Sequence, residues 1–569
     1  MKRLLALTTA FAALALCAKA AEMPGMDMGG GGMVMKMTDP MPAIYMGTAD
    51  KPGAPVFKGL GAHRHKITTK AARTQKLFDQ GVNLTFGFNH AEAIRSFREA
   101  ARLDPHCAMC WWGIAFALGS NINLPMPDDA VAPAWIALHN AIALKPYASP
   151  EERDWIDALA TRYAPDPKAD RAKLDTAFAD AMGALWKKYP NDLDAGTFYA
   201  EAMMDTQPWD YWAQDGVTPK GRALDIVATL ESIIKRSPYH PGALHLYIHA
   251  VEASTTPERA EIAADRLEKL MPGAGHVVHM PSHIYYRIGR FRDAAQVNEL
   301  AARIDEQYIA ACRAQGYYPI GYYGHNIHFL WTSSEMEGRY KASIDAARRL
   351  VKAANVTKAV QIGPQAELYL LTPYATLLRF GKWDAILAEP LPPATQKLTT
   401  AIAHLARGFA YANKGDKTNA KTERDALAAI AADDSTKDVN VIPLAALTQL
   451  ALVQLDGEIA RTSGDLPTAI TDFTKARDME EALPYTEPPY WHQPTSHLLG
   501  AALLQAGRTK EAEEVYRRSL SFYRLDGWAL FGLAQAQDAL GDRAGAAVTR
   551  KAFKTAWQLA DVKLTASRF

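Results

Sequence analysis

Residues 73–105 read RTQKLFDQGVNLTFGFNHAEAIRSFREAARLDP, and this stretch decides the fold. Gly81, Leu84, Ala93, Phe97, Ala100 and Pro105 give an ordered series of small, large, small, aromatic, small and proline residues. Small residues at Gly81 and Ala93 let the two helices of one hairpin cross closely. Pro105 has no backbone N–H to donate, so it ends the second helix and starts the link to the next unit.

The series returns along the chain. Trp111 and Trp112 open the next hairpin, and Pro238 and Pro272 bracket one full repeat. Gly289, Phe291 and Ala294 mark another, as do Gly338 with Tyr340, Gly381 with Trp383, and Gly415 with Ala420. Gly464 with Ala469, Phe473 and Ala476, then Gly507 with Ala512 and Tyr516, then Gly541 with Ala546 complete the run. Ordered recurrence at a fixed spacing is the signature of a repeat architecture. The spacing resembles the tetratricopeptide (TPR) repeat, and His279-Met280-Pro281-Ser282-His283 resembles the H-M-P-S-H-type motif of an exported bacterial subset of that family. The resemblance implies an all-α fold over residues 70–569: a TPR-like α-solenoid of about ten or more helical hairpins. It also implies a protein or peptide partner in the concave groove. Stretches 121–129, 207–220, 315–323 and 485–494 are rich in Pro, Gly or aromatic residues and interrupt the period as loops.

Placing the histidines on this register gives the site. The concave face of such an array is lined at positions 2, 5, 9, 12 and 13 of each first helix, which share one helix face by their spacing of three and four. From Pro241, His245, His249 and Glu252 take these positions. From Gly275 they are His276, His279, His283 and Tyr286, and from Gly324 they are His325, His328 and Glu335. Asp194, Glu201 and Asp205 extend the lining from the repeat before. Histidine at i and i+4 offers two imidazoles to one ion, and imidazole with carboxylate suits zinc, copper, iron or manganese. The sequence therefore predicts a transition-metal site, copper or zinc, at His245, His249, His276, His279, His283, His325, His328 and Glu252. The alternatives are a metal-dependent enzyme, hydrolase or oxidoreductase, with Glu252, Tyr286 or Glu335 as acid or base, and a metal-free scaffold for peptides or proteins. His245-Leu246-Tyr247-Ile248-His249 lacks the glutamate that follows the first histidine of a zinc-protease helix.

The chain begins as an exported one. Lys2 and Arg3 precede an apolar run from Leu4 to Leu16, and Ala18-Lys19-Ala20 supplies a cleavage site, so residues 1–20 read as a signal peptide and the protein as periplasmic or secreted. Residues 21–69 read as a flexible Met-rich segment. Met23, Met26, Met28, Met33, Met35 and Met37 offer thioethers at spacings that suit Cu(I), with His63 and His65 downstream as further donors. The tail tilts the metal reading toward copper handling. With 63 basic and 62 acidic residues, the chain has no basic excess for nucleic acid. No later run is apolar enough for a stable membrane span. Cys107 and Cys110 favour a local disulfide in an oxidising compartment, which leaves Cys312 unpaired.

Overall fold

The computed structural model describes residues 41–45, 48, 51, 53–314, 317–356, 366–436 and 442–569. The signal-peptide and Met-rich assignments at residues 1–37 fall outside this set. Among the described residues the protein is all α, with no strand and only two isolated bridges, Asn121 with Leu124 and Trp212 with Pro219. No described helix is long and apolar enough to cross a membrane.

The quoted stretch forms the hairpin Ala72–Phe86 and His90–Leu103. Its small residues have the expected cause. A Cβ on Gly81 would sit 2.4 Å from the Phe97 ring, and one on Gly113 in the next hairpin would sit 2.7 Å from the same ring. Phe97 is fully buried between two glycine notches. Asn89 caps the second helix by accepting from Glu92 N–H.

The chain divides into two compact units. The first holds residues 1–284 and 300–323, and the second 285–299 and 324–569. In the second unit, hairpins follow one another in chain order: Lys397–Asn413 with Lys417–Ala431, Leu444–Thr462 with Leu466–Glu481, Thr495–Gln505 with Thr509–Phe522, and Gly527–Ala539 with Arg543–Ala556. The turn glycines Gly464 and Gly507 take φ of +88° and +74°, the left-handed conformation that closes a helix C-terminus.

Both units depart from pure nearest-neighbour stacking. In the first, helix Ala72–Phe86 packs on helix Pro241–Val251, with the Phe86 ring filling the notch at Gly242. In the second, the chain end folds back. Asp561 accepts from Tyr340 N–H at 2.7 Å and Lys341 N–H at 3.0 Å. Trp557 covers Gly338, Phe569 covers Gly381, and Arg568 pairs with buried Glu458.

Two sequence expectations change here. Residues 53–69, placed in the flexible segment 21–69, run as irregular chain tied to the first unit: Phe57 N–H donates to Gln80 (2.9 Å), Ile67 N–H to Gln75 (3.0 Å), and Thr68 donates to Glu152. Composition marked them as a tail, but their polar backbone finds partners on helix Ala72–Phe86 and at Glu152. The aromatic stretch after 315, read as a loop, contains the helical turn Tyr317–Ile320 and the start of helix Tyr322–Met336. Cys107 and Cys110 are joined in a disulfide, and Cys312 is a buried free thiol.

Candidate metal centre

The centre is built on helix Pro241–Val251. His240 caps it by accepting from Ala243 N–H, and Pro241 sits at the first helical position, where a missing N–H costs nothing. That start sets the phase. His245 and His249 then lie one turn apart on one face, and Glu252 follows within the next turn. His276 and His279 come from the short helix Gly275–His279, and His283 from helix Pro281–Arg287.

These imidazoles are brought together, but they are buried rather than spread along an open groove. His245, His249, His276, His279 and His283 are each at most 2 % exposed, and Glu252 is fully buried. The groove reading assumed that each first helix shows this face to solvent. In the first unit that face of helix Pro241–Val251 is instead covered by helix Ala72–Phe86 and the Phe88 turn.

The hydrogen bonds around the rings fix their orientation. His245 Nδ1 meets the Phe86 carbonyl at 2.6 Å. His249 Nδ1 meets Glu252 Oε1 at 2.9 Å, and His283 Nδ1 meets the other oxygen, Oε2, at 2.5 Å. Carbonyl and carboxylate oxygens accept, so these Nδ1 atoms carry the protons and the Nε2 atoms carry lone pairs. His245 Nε2 and His249 Nε2 then face each other at 3.1 Å. His279 Nε2 and His283 Nε2 face each other at 2.8 Å, with Ser282 Oγ 3.3 Å from His279 Nδ1. The donor atoms of His245, His249 and His276 all lie within 4.8 Å of one another.

Burial, followed by the charge of His249, holds the His245 pKa well below its usual value. Burial and His283 do the same for His249. Both rings are therefore neutral. A neutral pair with both Nδ1–H groups committed has no proton between its Nε2 atoms, so two lone pairs oppose each other across 3.1 Å.

The walls are aromatic and their backbone is strained. Phe88 stacks on His249 and His276, with ring centroids 6.0 and 5.6 Å away, and lies 4.6 Å from His245. Trp209 meets His249 edge-on at 5.0 Å. Phe88 and Trp209 have φ of +53° and +62°, and only two other described non-glycine residues have positive φ. Bulky residues held in this region cost of order 1–3 kcal/mol and concentrate at functional sites. No sequence pattern announced these two walls.

The remaining expected site residues have further partners of their own. His325 and His328 belong to the second unit. There His325 meets Phe329 edge-on, and His328 stacks on Trp331 and touches Tyr369. Glu335 is also in the second unit, accepts from Thr376 at 2.9 Å, and is pushed up to about 7 by burial. Tyr286 shares a hydrogen bond with Thr332, and burial raises its pKa. Asp205 pairs with buried Arg162 at 2.8 Å, and burial pushes neighbouring Glu201 up to about 7. Glu252 touches two imidazoles, those of His249 and His283.

No protein-family model matches this sequence. No curated protein matches it either. Among solved structures the chain is similar to Cut9 in the APC/C hetero-tetramer Cut9–Hcn1, at 14% identity and TM-score 0.29 over 86% of this chain and 78% of that one. It is similar to yeast Tom70 at 10% identity and TM-score 0.28 over 85% and 90%. It is also similar to the TPR domain of P58(IPK), at 12% identity and TM-score 0.22 over 83% and 99%. Scores this low carry no argument about function.

Proposed function

We propose that this protein is a helical-repeat metal-binding protein that holds one transition-metal ion at His245, His249 and His276, with Glu252 orienting the ligand set. The observation that carries the reading is the facing Nε2 pair at 3.1 Å, whose Nδ1 atoms are already committed to Phe86 O and Glu252. Two opposed lone pairs in a dry interior repel, and a cation between them turns repulsion into coordination. Small shifts bring two imidazoles at this separation onto one ion with bonds of about 2.0–2.1 Å.

Imidazole suits copper and zinc alike, and the soft thioethers of the Met-rich segment tilt the reading toward copper as Cu(I). The Met-rich segment 23–37 is proposed as a soft donor for the same ion, and its deletion is expected to lower Cu(I) stoichiometry without unfolding the hairpins. Export to an oxidising compartment belongs to this proposal and is supported by the Cys107–Cys110 disulfide. A peptide or protein partner of the array is proposed to bind away from the buried histidines.

The test is elemental analysis of the protein as isolated, followed by anaerobic Cu(I) and aerobic Zn(II) titration of the stripped protein. One Cu(I) bound more tightly than zinc, and lost in His245→Ala/His249→Ala, supports the reading. Stoichiometry unchanged by that double substitution removes it.

A further inference from the structure

A second group of metal-type side chains gathers around Asp194, in the first turn of helix Leu193–Asp205. His63 Nε2 lies 2.9 Å from Asp194 Oδ1, His240 Nε2 lies 3.0 Å from the same oxygen, and His65 Nδ1 lies 2.8 Å from Oδ2. Two separate stretches of chain, one carrying His63 and His65 and the other His240, deliver these imidazoles to one carboxylate. The donor atoms of His63, Asp194 and His240 lie within 4.8 Å of one another, and so do those of His65, Asp192 and Asp194. The group borders a cavity of about 1080 Å³. His63 and His65 keep 18% and 12% of their side-chain exposure, so this group, unlike the buried centre, can be reached from solvent.

Anchoring the segment 53–69 does not by itself require three imidazoles on one carboxylate. That segment is already fixed at Phe57, Ile67 and Thr68. The motif His63-Arg64-His65 turns both rings toward Asp194, while Arg64 stays exposed and pairs with Asp79. Two imidazoles and a carboxylate with a side open to water form the donor set of an exchangeable zinc-type site. The site adjoins the buried centre across one residue: the Phe86 ring touches His63 and His240, and its carbonyl meets His245.

We infer that His63, His240 and Asp194 hold a divalent transition-metal ion such as zinc at this solvent-accessible site, with His65 holding the other oxygen of the Asp194 carboxylate. In the metal-free protein His240 Nδ1 accepts from Ala243 N–H, so its Nε2 carries the proton and donates to Asp194. Binding moves that proton to Nδ1 and releases the Ala243 cap, and it moves the His63 proton to Nδ1. The inference does not depend on the buried centre.

The test uses the full chain, stripped with chelator and titrated with Zn²⁺ against a chromophoric competitor. The key variant is His63→Gln, which keeps a side-chain N–H for Asp194 but removes an imidazole. Loss of one zinc equivalent, or at least tenfold weaker binding at that equivalent, with an unchanged circular dichroism spectrum supports the site. The same equivalent should persist in His245→Ala/His249→Ala, which separates this site from the buried one. Zinc binding by His63→Gln that matches the parent in stoichiometry and affinity overturns the inference and leaves Asp194 as a hydrogen-bond hub only.

Discussion

His245 Nε2 and His249 Nε2 face each other at 3.1 Å while both Nδ1 atoms are already engaged. The helix sets the first half of this relationship, since residues four apart share a face. The tertiary fold sets the second half, because Phe86 O arrives from a hairpin more than 150 residues earlier and pins the tautomer. An i,i+4 histidine pair alone is common and flexible. Committed Nδ1 protons, aromatic walls and burial are what the proposed cation site rests on.

His249→Ala should abolish metal-dependent stabilisation. An ion bound at 1,000 times its Kd adds about 4 kcal/mol to the parent. The variant should show no metal-induced rise in Tm. Without metal the variant also loses the His249 Nδ1–H bond to buried Glu252, so the metal-induced shift and not the absolute Tm is the quantity compared. Thermal melts with and without metal check this, and an equal metal-induced shift in both proteins contradicts it.

Glu252→Gln should weaken metal binding roughly 10- to 100-fold, the usual cost of removing an outer-shell partner. Gln offers one acceptor oxygen where Glu252 offers two, so it can orient His249 or His283 but not both. Competition titration reads the affinity. Unchanged affinity would mean that Glu252 does not set the ring orientation.

Two glycines should respond differently to alanine. In Gly81→Ala the new Cβ sits 2.4 Å from a fully buried ring, so overpacking should cost about 1–3 kcal/mol. At Gly464 nothing lies within 4 Å of the added Cβ, and the cost comes from φ of +88°, about 1–2 kcal/mol. Urea unfolding of both variants, followed by proteolysis of each unit, should place the first loss in the first unit and the second in the second.

Acid should loosen the return of the C-terminus onto the second unit. Burial raises the Glu458 pKa, but the charges and hydrogen bonds of Arg568 and Arg461 outweigh it and hold the carboxyl at about 2. A folded pKa below the unfolded one contributes stability that is fully present above the unfolded pKa and lost as pH falls through the folded one. The window therefore runs from about 4.5 down to about 2, and the contribution is roughly 3 kcal/mol. Amide exchange of helix Leu444–Thr462 should accelerate across that window in the parent. In Glu458→Gln the dependence should be flat, and a persisting acid transition there would assign it to another carboxylate.

The hairpin array was legible because its signals are local. Phe97 needs glycine at 81 and 113, Pro241 starts a helix, and the turn glycines need left-handed backbone, all within a few dozen residues. The same locality placed His245 and His249 on one helix with Glu252 at its C-terminal end, and His276, His279 and His283 on the next pair. It failed for His240, which caps its helix instead of facing along it and yet meets Asp194. It also failed for His63 and His65, whose Met-rich and glycine-rich surroundings suggested a tail.

By itself the sequence determined that the chain is helical, where its hairpins turn, and which histidines share a helix face. Those properties follow from steric rules that act between residues three, four or about thirty positions apart. Only the tertiary structure decided that the histidines are buried and not laid along a groove, that Phe88 and Trp209 wall them in, and that Phe86 fixes a tautomer. Packing of helix Ala72–Phe86 on helix Pro241–Val251 has no periodic signature, because a contact between distant hairpins depends on the summed path of all the helices between them.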